Sequence, residues 1–213
     1  MIPPLDLGPW AAIALLGAFH GLDPAMGWLF AVARGLQEHR RSVVLASLLP
    51  LAIGHELSLI VVVAPVLLGT ALVSEADLRL AAAGLLVGFG LLRLLRPRHP
   101  GWVGMRIGGR ELAVWSFLMA GAHGAGLMLL PPLLGLLPAA TTPLVIEAAP
   151  GQELLVAAIA LVVHVTATVL VMGAIAVAVY ERFGVDFLRR AWLNLDQIWA
   201  VALVGAGGLT LFT

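Results

Sequence analysis

The chain has 213 residues, 61% hydrophobic and 11% charged, with a mean hydropathy of +1.04; this mix excludes an ordinary soluble domain and reads as an integral membrane protein. Twelve arginines, with no lysine, balance twelve acids, so no net basic field points to nucleic acid. Cysteine is absent, which excludes disulfides, thiolate metal sites and thiol redox chemistry.

The opening M-I-P-P-L-D-L-G-P-W carries Asp6 and no arginine, unlike the charged start of a cleavable signal peptide, so the first apolar run is expected to stay in the mature protein. Apolar runs of about 20 residues fall at roughly 9–31, 43–70, 78–96, 111–136, 153–180 and 191–212. Each must satisfy its backbone hydrogen bonds within itself in lipid, so helices are predicted. The second and fifth runs exceed a straight crossing and are expected to tilt or bend. The fold class expected is an all-α integral membrane protein of six transmembrane helices in a single domain, 1–213.

Loop charge predicts the orientation. Arg34, Arg40 and Arg41 follow the first run, Arg93, Arg96, Arg98, Arg106 and Arg110 the third, and Arg182, Arg189 and Arg190 the fifth, while the alternate loops hold only Arg79. Arginines favour the cytoplasmic side, so both termini are expected to face away from the cytoplasm of a cell inner (plasma) membrane. The segment 138–153 then becomes an external Pro-rich acidic loop. His39 and His99 fall in the arginine-rich loops and read as solvated residues.

A weak repeat relates the halves, about 9–96 and 111–212, across a linker at 97–110. The first run reads G-A-F-H-G and the fourth G-A-H-G, giving His20-Gly21 and His123-Gly124, while the second and fifth hold His55 and His164. Three spans per half make the second half run inverted, and inverted repeats with Gly/Pro-interrupted segments at matching places point to a transporter site near the midplane. Counted from their span starts, the four histidines lie about 11 to 12 residues in, or about 17 Å at 1.5 Å per residue, near the centre of a core about 30 Å thick.

His20 and Asp23 are three apart and share a face if the helix continues; Gly21 and Pro24 argue for a break instead. Such a break would free carbonyl oxygens beside an imidazole and a carboxylate, a set that suits a dehydrated cation. Neutral imidazole binds zinc, copper, iron and nickel, so His20, Asp23, His55, His123 and His164 are the predicted metal ligands, in one site or two successive ones. A charged Asp23 at mid-membrane costs about 2.5–3.5 kcal/mol, so it is expected to be protonated or paired with a cation. Met26 and Glu56 are secondary candidates: packing is the commoner role of methionine, and Glu56 serves a second ion, a proton path or an interhelical bond. Thr166 and Thr168 read as helix-to-helix donors, Asn194 and Asp196 as a helix cap, and the glycines of 85–92 and 204–208 as close helix contacts.

At His20-Gly21-Leu22-Asp23-Pro24 the sequence resembles the nickel/cobalt efflux family of the lysine-exporter superfamily, whose first span carries His, a small residue, an apolar residue, Asp or Glu, then Pro. The resemblance continues through G-L-Q-E-H-R-R-S-V-V-L-A-S-L-L-P-L-A-I-G-H-E-L-S, and more faintly into G-A-H-G-A-G-L-M-L-L-P-P. It implies six spans, with His20, Asp23 and His55 binding a transition metal on its way out of the cytoplasm. Met26 stands where the family has a second motif histidine, and the family's Pro-Cys-Pro lacks its cysteine in this chain.

The function expected is transition-metal transport, efflux favoured, with protons competing for imidazole and Asp23. Nickel, cobalt, zinc, copper and iron are not distinguished. A haem-binding electron-transfer protein, with facing histidines as axial ligands, and an intramembrane zinc-dependent hydrolase, with Asp23 or Glu56 as base, remain as alternatives. Expected partners are the metal ion, the bilayer, and a second copy or a larger membrane complex.

Overall fold

The computed structural model describes residues 7–70, 75–95, 108–136 and 151–182, with positions 201, 203–205, 207 and 208. All of its regular elements among these residues are helical. They are α1 (Leu7–Leu22), a 3-10 turn (Pro24–Met26), α2 (Trp28–Glu38), α3 (Arg41–Thr70), α4 (Glu75–Leu95), α5 (Gly109–Ala122), α6 (Ala125–Leu134) and α7 (Gln152–Arg182). Most of the sixth apolar run, most of the 138–153 loop, Arg98 and Arg106 of the linker, and His99, Asn194 and Asp196 lie outside the described residues.

Two helices, α3 and α7, are long and apolar enough to cross a membrane, and α5 with α6 makes a third candidate when taken as one span bent by 61°. At 30 and 31 residues the two long helices reach about 45 Å, beyond a core about 30 Å thick. Helix α3 stays continuous through Pro50 and Pro65, which membrane helices tolerate when neighbouring groups take up the freed carbonyls. Its outer face carries exposed Leu45, Leu49, Ile53, Leu57 and Ile60, spaced three and four apart, so a continuous apolar stripe faces outward as lipid contact requires.

The first and fourth runs are each broken in the middle. In the first, Asp23 caps the 3-10 turn by accepting the amide of Ala25 at 2.8 Å, and Gly27 then adopts φ 115° and restarts the chain as α2. That left-handed backbone is open to glycine at little cost. In the fourth, Gly124 at φ 69° separates α5 from α6. The predicted loop after the first run is therefore partly helical: Arg34 lies within α2, where its guanidinium donates to the Ser47 hydroxyl at 2.9 Å.

Glycine sets how closely the helices approach. A Cβ at Gly17 would collide with the His164 carbonyl oxygen, and one at Gly21 would lie 2.5 Å from that of Thr168, so α1 runs parallel to α7 at backbone contact. A Cβ at Gly54 would collide with the Ala113 carbonyl, and one at Gly126 would meet Val62, which aligns α3 with α5 and α6 in the same parallel sense. Helices α3 and α7 cross antiparallel: Arg41 pairs with Glu181 at 3.1 Å, Leu48 lies at Gly173, and His55 meets His164. Of the later glycines expected at contacts, Gly207 packs on Ala83, Leu86 and Val87, whereas Gly88, Gly205 and Gly208 face open space among the described residues.

The Arg41–Glu181 pair is about half exposed on both sides, and exposed pairs contribute about 0–1 kcal/mol. Arg41→Ala is accordingly expected to leave the thermal midpoint of the purified protein nearly unchanged; a large drop would show that this end is desolvated.

Candidate metal site

The interior is apolar around Met26, Trp28, Leu51, Leu59, Leu112 and Met172, which join α2, α3, α5 and α7. Against that background His20, His55 and His164 are fully buried, and His123 and Asp23 nearly so. Burying so many ionisable side chains without function is costly.

Three of the imidazoles converge. One ring nitrogen from each of His20, His55 and His164 lies within 4.8 Å of the others, so these three could hold a metal ion. His55 and His164 have near-parallel rings, 4° apart, with Nε2 atoms 3.3 Å from each other, and His20 meets both rings edge-on with centroids 5.3 and 5.0 Å away. Two nitrogens bound about 2.0–2.1 Å from one tetrahedral ion lie roughly 3.3 Å apart, so this pair already has the spacing of two ligands.

Backbone carbonyls set which nitrogen faces inward. His20 Nδ1 lies 2.8 Å from the Leu16 oxygen and His164 Nδ1 3.3 Å from that of Ile13. A carbonyl only accepts, so each Nδ1 carries the proton and each Nε2 presents a lone pair. This outer bond is the one that metal-binding histidines make, because it fixes both tautomer and ring orientation. His164 then accepts from His55 Nε2, which leaves His55 Nδ1 bare, a buried atom with no hydrogen-bond partner. An arriving cation would displace the His55 Nε2 proton, and Nδ1 is free to take one.

His123 and Asp23 form a second group. Asp23 Oδ2 lies 3.7 Å from His123 Nε2, while His123 Nδ1 donates to the Met119 carbonyl at 2.7 Å. The five predicted ligands are thus divided, three in the triad and two beside it. The carbonyls of the break are differently employed from the expectation: Leu22 accepts from the Trp28 indole at 3.2 Å and Ala25 from the Trp115 indole at 2.9 Å. Those of His20, Asp23 and Pro24 accept backbone amides. Protein donors satisfy them, as buried polar groups require.

No protein-family model, curated protein or solved structure matches the chain.

Met26 is fully buried in the apolar cluster, consistent with packing. Glu56, one position beyond His55 on α3, has a buried Oε2 with no hydrogen-bond partner. Thr168 turns back on its own helix and donates to the His164 carbonyl at 2.9 Å, where a bond to another helix was expected. The two indoles were not foreseen, because nothing in local spacing tells that Trp115 reaches a carbonyl 90 residues earlier. Trp115→Phe should leave the Ala25 carbonyl unsatisfied, at about 1–3 kcal/mol, read as a lowered thermal midpoint.

Proposed function

We propose that the protein transports a transition-metal ion, efflux favoured, through a site made by His20, His55 and His164, with Asp23 and His123 beside it. The observation that carries this reading is the set of three buried imidazoles with one ring nitrogen each within 4.8 Å of the others, two of them Nε2 atoms 3.3 Å apart. The ion is substrate here, and binding it requires the imidazoles to be neutral, so protons compete with it.

The architecture proposed with this function is six spans in two inverted halves, both termini outside the cytoplasm of a plasma membrane. Support comes from the packing. Helix α1 lies parallel to α7 and α5 parallel to α3, while α3 and α7 cross antiparallel at their histidines; a two-fold axis in the membrane plane would exchange these pairs. Each half also breaks its first helix within three residues of a histidine. Likeness to the nickel/cobalt efflux family at His20, Asp23 and His55 adds a preference for nickel or cobalt as cargo.

Two imidazoles that ligate haem must stand on opposite sides of a flat slot. The third ring touching both, and the backbone contact of α1 with α7, favour a bare ion. A hydrolytic zinc site is the second reading, because three histidines leave one open coordination position and the Glu56 carboxyl lies next to His55. Elemental analysis and an absorption spectrum of protein purified without affinity-tag metal test all three. If the protein holds no transition metal, and alanine at His20 and Asp23 leaves cellular metal content unchanged, transport is refuted. A Soret band would establish haem, and turnover of a lipid or peptide in detergent would establish the hydrolase.

A further inference from the structure

His20 and His123 are built alike. Each lies in or just past the last turn of a helix that stops at a glycine-containing break, each donates Nδ1–H to the carbonyl four residues earlier, at 2.8 and 2.7 Å, and each rides on a helix packed parallel to the long helix of the other half. Yet only His20 joins the triad; His123 Nε2 faces Asp23 instead. His55 and His164 differ from both, because they face each other across the α3–α7 crossing.

We propose that the ion keeps His55 and His164 throughout its passage and exchanges its third imidazole, His20 in the state described and His123 in the opposite-facing state, with Asp23 holding His123 aside in the first. This rests on the transporter reading. Inverted halves alternate access by rocking about a fixed site, each half taking the other's arrangement. Under that exchange α1 takes the place of α5 and α3 that of α7, so the pair His55 and His164 maps onto itself while His20 maps onto His123. The ion always retains two imidazoles and swaps one.

Asp23 has no such counterpart. Three positions beyond His123 the chain has Gly126, packed against Val62 where any side chain would collide. One carboxylate for two histidines makes the states unequal, and a contact present in only one state biases the equilibrium toward it.

The test uses full-length protein in nanodiscs and proteoliposomes with Co2+ as probe. His55→Ala removes ligation in both states and sets the floor of binding. His20→Ala should retain Co2+ well above that floor, still with three imidazole nitrogens by X-ray absorption, its affinity lowered only by the cost of reaching the other state. Adding His123→Ala to it should bring binding down to the floor. His123→Ala alone should change affinity by no more than about threefold, because the populated state does not use it, yet slow Co2+ flux by about tenfold or more. Asp23→Asn in the His20→Ala background should restore affinity by releasing His123. Glutamine versions replace any alanine variant that elutes as aggregate. His20→Ala at the floor, or His123→Ala with wild-type flux, overturns the exchange and leaves the metal site standing. A wild-type protein that binds no Co2+ removes both.

Discussion

Alanine in place of His55 or His164 is expected to lower the affinity of the purified protein for a divalent transition metal by more than about 100-fold, since even outer partners of ligands are worth 10–100-fold. These two rings form the fixed pair of the triad, 3.3 Å apart at Nε2, and no other imidazole among the described residues lies on the α3–α7 crossing. Truncation also leaves a void between helices, so part of the loss would come from relaxation of α3 against α7. Glutamine separates the effects: it fills most of the space and cannot replace an imidazole lone pair, so it should restore thermal stability without restoring binding. Wild-type affinity should itself fall as pH is lowered, because protons must leave the imidazoles before metal binds. Competition against a chromogenic chelator over a pH series measures both. An affinity unchanged in His55→Gln would mean that the converging rings serve only one another.

How much of this was legible in the sequence follows from the range of each interaction. Membrane character comes from composition, and the break in the first run from Pro24, because both are set by local chemistry, whereas Gly21 stays helical and serves the contact with α7. The convergence of His20, His55 and His164 was legible through depth, since residues at one level of a bundle can meet. Depth carries no azimuth, however. It could not tell that His123 would face Asp23, because this depends on which helix packs beside which. The restart of the chain as α2 at Gly27 and the indole bonds of Trp28 and Trp115 were likewise hidden, as each compensates a break through partners brought by folding.

Valine at Gly17 is expected to disable the site from outside it. The glycine lies where α1 meets α7: its Cβ would collide with the His164 carbonyl oxygen and come within 3.1 Å of the Ala167 side chain. Backbone cannot rotate aside as a side-chain tip can, so α1 must move away as a unit, taking with it His20 one turn further along. The same shift lengthens the bond from His164 Nδ1 to the Ile13 carbonyl on α1, already 3.3 Å, and so loosens the orientation of a second ligand. Overpacking of this kind costs about 1–3 kcal/mol, and loss of an outer hydrogen bond on a ligand lowers metal affinity about 10–100-fold. Both should be seen together, as a lowered thermal midpoint and weaker Co2+ binding. Gly54→Val should act similarly through α5, where the collision is with the Ala113 carbonyl. Gly88→Val is the control, because a Cβ there meets nothing within 4 Å among the described residues, so binding should stay at the wild-type level. Equal behaviour of the Gly17 and Gly88 variants would mean that α1 and α7 do not depend on glycine contact to bring His20 to His164.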